Sequence, residues 1–312
     1  MRRPKLVVSK CLGFENCRYN GQGSSSKLID ILQPYVDFVT VCPETGIGLS
    51  TPREAIRIVD YDSQKKLIQP KSNIDHTESM KKFSKDYINT LNDIDGFILK
   101  SKSPSCGIKD VKVYHKNGKS SLFNDGNGFF AQEVIDSYGH LPIENEGRLK
   151  NYLIRDEFFT KLFTINEFKH NKSDLKSFHN KNKALLKSYD INLYSRLEEI
   201  AKHEFNTEKE ILEYEKNLYE LLRKNRNSKK NIQSIIDMYN KYESKISMKE
   251  KEIFVDSLVK YSKGKLHLSA LFTNIKSYAA RFDDDEILNQ SIFSPYPENL
   301  VDLSDSGKGR TI

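Results

Sequence analysis

The chain has 312 residues, 37% of them hydrophobic, and a net charge of +7 that is spread nearly evenly over its two halves. This length and apolar content exclude a wholly disordered chain and favour about two folded domains. The even charge lacks the focused basic face of a typical nucleic-acid-binding protein, although it does not exclude an RNA or nucleotide substrate. No apolar run reaches the ~18 residues of a membrane span, and the N-terminal apolar run is too short for a secretory signal. We therefore expect a cytoplasmic protein.

Short apolar runs alternate with helical stretches over the first 145 residues. The predicted elements, in chain order, are the strand Lys5–Ser9, the helix Ser24–Leu32 capped by its first serines, the strand Asp37–Val41, the helix Glu78–Leu91, the strand Gly96–Lys100, a short extra strand at Val111–Tyr114 and the helix Asn127–Tyr138. Alternation of strands and helices indicates an α/β domain with a mainly parallel sheet. We place this domain at residues 1–145.

The character of the chain changes after about Glu146, where glycine becomes scarce and apolar residues recur at helical spacing. Helices are predicted at Leu149–Phe163, Leu193–Ala201, Glu208–Arg223, Asn231–Glu243 and Lys249–Lys260. This pattern is typical of an all-α domain, which we place at residues 146–303. The polar residues 304–312 are predicted to form a flexible tail.

All four cysteines, Cys11, Cys17, Cys42 and Cys106, lie in the first third of the chain. Intracellular thiols are kept reduced, so clustered cysteines indicate metal ligands or reactive thiols rather than disulfides. Cys11, Cys42 and Cys106 each follow a predicted strand, and sites in parallel sheets form outside the carboxyl ends of the strands. We therefore expect these distant cysteines to converge at one edge of the sheet.

Three of the cysteines lie in loops rich in glycine or serine, SKCLGFENCRYNG at 9–21 and SKSPSCG at 101–107. Amides and hydroxyls in such loops can tune the charge of cluster sulfurs. The cysteine spacing matches neither the common ferredoxin patterns nor the paired C-x2-C of zinc sites. From the residues alone, an iron–sulfur cluster, a zinc site and ordinary buried cysteines therefore all remain open.

Three motifs carry a family resemblance. SKCLGFENCRYNG, CPETGIGLSTPRE at 42–54 and KSPSCG at 102–107 resemble, in order and spacing, the thiouracil desulfidase family, over residues 5 to about 145. In the second half, SFHNKNKALLKSY at 177–189 and ILNQSIFSPYPENL at 287–300 resemble the YbgA-like helical domain. The resemblance implies an iron–sulfur domain at 1–145 fused to a YbgA-like domain at 146–303.

Members of the desulfidase family are 4Fe–4S proteins that remove sulfur from thiolated pyrimidines without net redox change. The resemblance implies that Cys11, Cys17 and Cys106 hold the cluster and that one iron is free of protein ligands. It gives Glu44 the role of catalytic acid/base and Ser103 that of positioning the substrate or water.

Three further residues have more than one interpretation. Cys42 is a fourth cluster ligand, a thiol that lines the pocket or a small core residue, and the resemblance favours the pocket. Asn20 stands where the family often has Asp, so any proton-handling role there would be lost. Arg53 either binds an anionic substrate or pairs with Glu44 or Glu54. The alternative to a catalytic Glu44 is a structural carboxylate that caps a turn or pairs with Arg53.

The resemblance implies 4Fe–4S-dependent desulfuration of a thiolated nucleobase such as thiouracil, or of a thionucleoside, with the open iron binding the sulfur. The first alternative is a non-catalytic, metal-stabilised module whose helical domain binds a protein or a nucleic acid such as tRNA. A salt-sensitive affinity for nucleic acid would favour it. The second alternative is a redox enzyme that uses the same cluster.

Overall fold

The computed structural model describes residues 2–62, 64–116, 120–204 and 206–304. In it the chain divides into two compact units, the first formed by Met1–Leu162 with Asn299–Ile312 and the second by Phe163–Glu298. The predicted flexible tail at 304–312 lies outside the described residues except for Ser304.

The first unit contains the strands of the described residues. These are β1 Lys5–Ser9, β2 Asp37–Val41, β3 Arg57–Tyr61, β4 Gln64–Gln69, β5 Ile74–Asp75, β6 Gly96–Leu99, β7 Val111–His115, β8 Ser121–Gly126 and β9 Ile143–Asn145. They form one sheet of four strands, in the order β2-β1-β6-β9, and a second of five, in the order β5-β4-β3-β7-β8.

Every neighbouring pair in the four-stranded sheet is parallel. The predicted α/β class is therefore confirmed. Three of the four predicted strands agree with β1, β2 and β6, except that β6 ends one residue earlier, at Leu99. Leu6, Val7 and Val8 in the central strand β1 are fully buried. Such a continuous apolar run is typical of a parallel strand that is covered on both faces.

The five-stranded sheet was predicted only at its β7 strand, as the short extra strand Val111–Tyr114. Its pairs are antiparallel apart from β3 with β7. Ile58, Leu67 and Val113 from this sheet form a buried core together with Met80. The sheet is therefore held to the rest of the unit by apolar packing.

The helices of the first unit are α1 Lys27–Leu32, α2 Pro43–Gly46, α3 Thr77–Asn89 and α4 Phe129–Tyr138. The next helix, α5, spans Tyr152–His170, and its residues up to Leu162 belong to the first unit. The first helix begins three residues later than predicted. Ser26 is its N-cap residue, but the side chain of Ser26 makes no capping hydrogen bond, so the expected serine cap is wrong in this detail.

The helices that follow α5 are α6 Leu175–Lys187, α7 Ile191–Ala201, α8 Glu208–Arg223, α9 Ser228–Tyr239, α10 Met248–Ser262, α11 Leu268–Arg281 and α12 Asp285–Leu288. Short 3-10 turns lie at Arg148–Lys150, Ser291–Phe293 and Glu298–Leu300. The predicted helical second half is confirmed. Thr207 and Ser247 start α8 and α10 with complete capping boxes, which satisfy amides that the helix itself leaves unpaired. Among the described residues, no helix has both the length and the apolar character that crossing a bilayer requires.

His179 on α6 lies in the aromatic core of the second unit and is 3% exposed. Its Nδ1 is 3.0 Å from the Tyr214 hydroxyl, and its ring packs 5.2 Å from that of Tyr194. Burial lowers the pKa of His179 from 6.5 to about 4, with Lys183 acting in the same direction and Glu198 opposing it. The folded unit therefore favours the neutral imidazole.

We expect His179 to make the second unit sensitive to acid. Because its pKa is lower in the folded than in the unfolded state, stability falls as pH drops below 6.5 and the loss levels off near pH 4. At pH 4.5 this single group should cost about 2.5 kcal/mol of unfolding free energy relative to pH 7.5.

Urea unfolding of the wild type and of His179→Gln at the two pH values measures this loss. The variant should lose less stability than the wild type between pH 7.5 and 4.5. An equal acid loss in wild type and His179→Gln would contradict the expectation.

Candidate functional site

The loops that follow β1, β2 and β6 meet at the carboxyl edge of the parallel sheet. They line a cavity of about 1210 Å³ in the first unit. The predicted site residues in its wall are Cys11, Cys17, Cys42, Glu44, Arg53, Ser103 and Cys106. Asn20 is not in this wall. Its side chain is exposed and hydrogen-bonded to Gln22, so the structure does not bring it to the site.

The four cysteines are free thiols. Cys11, Cys17 and Cys106 are 9%, 1% and 5% exposed, whereas Cys42 is only half-buried. Burial, and then the proximity of Cys42, raises the pKa of Cys11 to about 11 and that of Cys17 to about 12. Burial also raises the pKa of Cys106. Buried thiols in such surroundings become thiolates only when a positive centre joins them.

The arrangement of the cysteine thiols can be compared with what a metal ion and an iron–sulfur cluster each require of their ligands. Within residues 2–62, 64–116, 120–204 and 206–304, no three His, Cys, Asp or Glu side chains are grouped closely enough to hold a single metal ion. An iron–sulfur cluster takes each thiolate at a different iron, so three buried thiols in the wall of one cavity suit such a cluster.

Glu44, in the short helix α2, and Arg53 form an ion pair beside the cysteines. Arg53 donates from Nε and Nη2 to Glu44 Oε2 at 2.8 and 2.6 Å. The side chains of Arg53 and Glu44 are 4% and 13% exposed. Arg53 Nη2 also donates to the carbonyl of Cys17 at 2.9 Å, so the guanidinium joins the Cys17 loop to Glu44.

Arg53 has no donor left for a ligand. A guanidinium has five N–H groups. Besides the bonds to Glu44 and Cys17, Nη1 donates to the Ser50 carbonyl and to Thr51 Oγ1, both at 3.1 Å. All five N–H groups thus have partners within the protein. Of the two interpretations of Arg53, the structure favours pairing with Glu44 over the binding of an anionic substrate.

The Cys106 loop is joined to Glu44 through its serines. Ser105 Oγ donates to Glu44 Oε1 at 3.2 Å. Ser103 Oγ accepts from the amides of Ser105 and Cys106, at 3.2 and 3.1 Å. Ser103 therefore shapes the turn that presents Cys106, in addition to lining the cavity. Oε2 of Glu44 is occupied by Arg53, which leaves Oε1 as the oxygen with the greater capacity to accept a further proton.

The first residues of α4 hold the Cys106 loop by backbone hydrogen bonds. The amides of Phe129 and Ala131 donate to the carbonyls of Pro104 and Ser105, both at 3.0 Å. Gly128, the N-cap residue, allows this approach, because a Cβ there would lie 2.4 Å from Ser105 and 2.7 Å from the Cys106 amide. These helix amides bind the loop, so they are not available to an anion.

Lys100 and Glu146 form a second, largely buried ion pair in the cavity wall, which the sequence analysis did not single out. Their side chains are 18% and 12% exposed. Lys100 Nζ contacts Glu146 Oε1, and Glu146 also accepts from the amide and hydroxyl of Ser101, at 2.7 and 2.8 Å. The parallel pairing of Leu99 with Asn145 brings the two residues together at adjacent strand ends. Lys100 lies close enough to Cys11 to lower the pKa of its thiol, against the larger effect of burial.

Comparison with known proteins assigns a class to each unit. Residues 6–146 match the family described as 2-thiouracil desulfurase, and residues 183–297 match a family described as protein of unknown function, DUF1722. Each match falls within one of the two units. The resemblances to a desulfidase domain and to a YbgA-like domain are thereby confirmed.

Two individual proteins illustrate the similarity. The uncharacterized protein YbbK of Bacillus subtilis (strain 168) is 36% identical over 109 residues, which span 33% of this chain and 72% of that protein. The solved structure of a 4Fe-4S-dependent thiouracil desulfidase, TudS, is 25% identical with a TM-score of 0.39, covering 47% of this chain and 93% of that one. The N-terminal part of the chain belongs to the 2-thiouracil desulfurase family.

We expect Gly128→Ala to destabilise the first unit by about 1–3 kcal/mol, through overpacking against the Cys106 loop. The backbone of Gly128 has a φ of −67°, which alanine adopts freely, so the cost is steric. Thermal or urea unfolding measures it.

Gly264→Ala provides the contrasting control. A Cβ there meets nothing within 4 Å, but φ is +67°, so the expected cost of roughly 1 kcal/mol comes from backbone strain alone. Substitutions at the two sites should differ in their effect on the accessibility of the Cys106 thiol to alkylation, which only Gly128→Ala should raise. Unchanged stability in Gly128→Ala would contradict the role of the close approach.

Proposed function

We propose that the first unit is a 4Fe–4S-dependent desulfidase that hydrolyses the C=S bond of a thiolated pyrimidine. In this reaction the thiocarbonyl and water give a carbonyl and hydrogen sulfide, so no net oxidation or reduction takes place. The observation that carries the proposal is the convergence of three buried thiols on a cavity whose wall also holds a paired carboxylate. Membership of the 2-thiouracil desulfurase family supports the substrate class.

Cys11, Cys17 and Cys106 would hold the cluster. Cys42 is assigned outside the ligand set, since its Sγ is directed at the carbonyl of Cys17, 3.9 Å away, and it is the least buried of the four thiols. The bound cluster would supply an iron without a protein ligand, a Lewis acid that polarises the thiocarbonyl.

The protein's own groups would handle protons and orientation. Glu44 would accept a proton from the attacking water at Oε1, because Arg53 holds Oε2 and fixes the direction of the carboxylate. The Ser103 hydroxyl already accepts two amide hydrogen bonds, so its own hydrogen is available to a substrate or water in the cavity. Arg53 acts here as a positioning residue.

The first experiment is anaerobic purification of the full chain with quantification of iron and sulfide, an absorption spectrum and an assay of 2-thiouracil turnover. About four irons and four sulfides per chain, with a broad band near ~400 nm, are expected. Thiouracil and a thiolated tRNA assayed in parallel would separate a free pyrimidine from a nucleic-acid substrate. A cluster that must change oxidation state during turnover would favour the redox alternative, and a chain without iron would favour the non-catalytic one.

Single substitutions of the cysteines should divide them into two groups. Cys11→Ser, Cys17→Ser and Cys106→Ser should each lose most of the iron, since each removes a thiolate from the cluster. Cys42→Ser is the matched control and should keep about the wild-type iron and sulfide content after the same anaerobic reconstitution. Loss of iron in Cys42→Ser would make it a fourth ligand and remove the open iron.

Glu44→Gln should lower kcat by about 10²–10⁴-fold while the cluster is retained, because glutamine cannot take up the proton. Iron content and the absorption spectrum, measured on the same preparation, separate this effect from loss of the cofactor. Glu54→Gln is the control, since Glu54 lies outside the cavity wall and accepts hydrogen bonds from Ser72. Full turnover by an iron-loaded Glu44→Gln would exclude Glu44 as the base.

A further inference from the structure

Arg53 and Lys100 are two of the cations in the cavity wall, and they differ in the donors they have left. Arg53 uses all five of its N–H groups within the protein. An ammonium has three N–H groups. Those of Lys100 have two partners within the described residues, Glu146 Oε1 and Ser101 Oγ, the latter at 3.2 Å. One N–H of Lys100 therefore remains for a ligand.

The Lys100 ammonium is fixed in position by the groups around it. Glu146 is itself held by the amide and hydroxyl of Ser101. The backbone amide of Lys100 donates to Ser9 Oγ at 2.8 Å, which ties the end of β6 to the end of β1. A lysine side chain is normally flexible, and holding it by a buried carboxylate removes most of that freedom before a ligand arrives.

Lys100 also lies beside the cysteines. Its charge lowers the pKa of the Cys11 thiol, and its backbone amide donates to Ser9, which lines the same cavity. Lys100 lines the cavity, and 18% of its side chain is exposed. A charged donor thus lies in the same cavity wall as the three buried thiols, on a different strand end from Glu44.

A thiouracil presents a suitable acceptor, because it keeps one ring carbonyl oxygen besides its thiocarbonyl. We propose that Lys100 determines specificity, donating its remaining N–H to this ring oxygen, with Glu146 as the residue that positions it. The inference rests on the proposed desulfidase function. It narrows the substrate class to thiolated pyrimidines that carry a ring carbonyl in addition to the thiocarbonyl. Oxygen-free thiopyrimidines would lack this contact.

The test compares kcat/KM for 2-thiouracil and for pyrimidine-2-thione, which lacks the second carbonyl, in wild type, Lys100→Met and Lys112→Met. Loss of a charge-assisted hydrogen bond should lower kcat/KM for 2-thiouracil by about 10–100-fold in Lys100→Met. The value for pyrimidine-2-thione should change by less than about threefold. Lys112 is exposed on β7, outside the cavity wall, and its variant should match the wild type for both compounds.

The ratio of the two kcat/KM values within one preparation does not depend on the fraction of protein that is folded or loaded with iron. It therefore stays informative if Lys100→Met lowers the yield. Lys100→Gln, which keeps a neutral donor, should give an intermediate ratio, and it replaces Lys100→Met if that variant cannot be obtained.

A second readout is independent of turnover. Isothermal titration calorimetry measures the binding of uracil, the oxygen-containing product. The affinity for uracil should be about 10-fold lower in Lys100→Met and unchanged in Lys112→Met. Wild-type discrimination together with wild-type uracil affinity in Lys100→Met would overturn the inference while leaving the desulfidase proposal intact. If the wild type converts neither 2-thiouracil nor pyrimidine-2-thione, the desulfidase proposal is wrong. The uracil titration then still decides whether Lys100 binds a ring oxygen.

Discussion

The site depends most on the hydrogen bonds of one buried guanidinium. Arg53 binds the Glu44 carboxylate and the Cys17 carbonyl at once, and Glu44 in turn reaches Ser105 beside Cys106. Three loops that are far apart in sequence are joined by this chain of contacts. Removing one member of a buried charge pair leaves the other uncompensated, which is much more costly than the pair is favourable. The arrangement therefore holds together as a set.

The edge of the parallel sheet explains why the contacts can form there. Parallel strands end on the same side, so each loop that leaves the sheet begins next to its neighbours. The order β2-β1-β6-β9 places the segment after β1 between those after β2 and β6. The second unit has its own aromatic core around His179 and its own helix caps, and it matches a separate family. The chain thus divides into two compact units, and a different family matches within each of them.

Much of this could be predicted from the sequence, because periodicity and strand alternation are local signals. The strands β1, β2 and β6 and most of the later helices follow from them directly. The second sheet was largely missed, since several of its strands, such as Gln64–Gln69, begin with polar residues. Whether a residue forms an edge hairpin of this kind depends on tertiary packing more than on its own propensity.

The individual contacts of the site are less accessible to sequence reasoning. Cysteines in loops are conspicuous, whereas the pairing of Lys100 with Glu146 follows from strand register between residues 46 apart. Likewise, no residue pattern shows that all five N–H groups of the Arg53 side chain donate within the protein. This follows only from the five hydrogen bonds in the structure. The exposed position of Asn20 reflects a local turn closed by its own side chain onto Gln22. Such turns compete with any role that a motif assigns to the same residue.

The support that α4 gives to the Cys106 loop has a consequence for how a cofactor is received. A loop that is free before binding must lose conformational entropy when its thiol is captured, and this loss weakens binding. Here the amides of Phe129 and Ala131 donate to the carbonyls of Pro104 and Ser105, so the loop is held by a helix of the protein itself. On the proposed function, the Cys106 thiol would therefore be preorganised, and the protein without its cluster would be an ordered acceptor for cluster transfer.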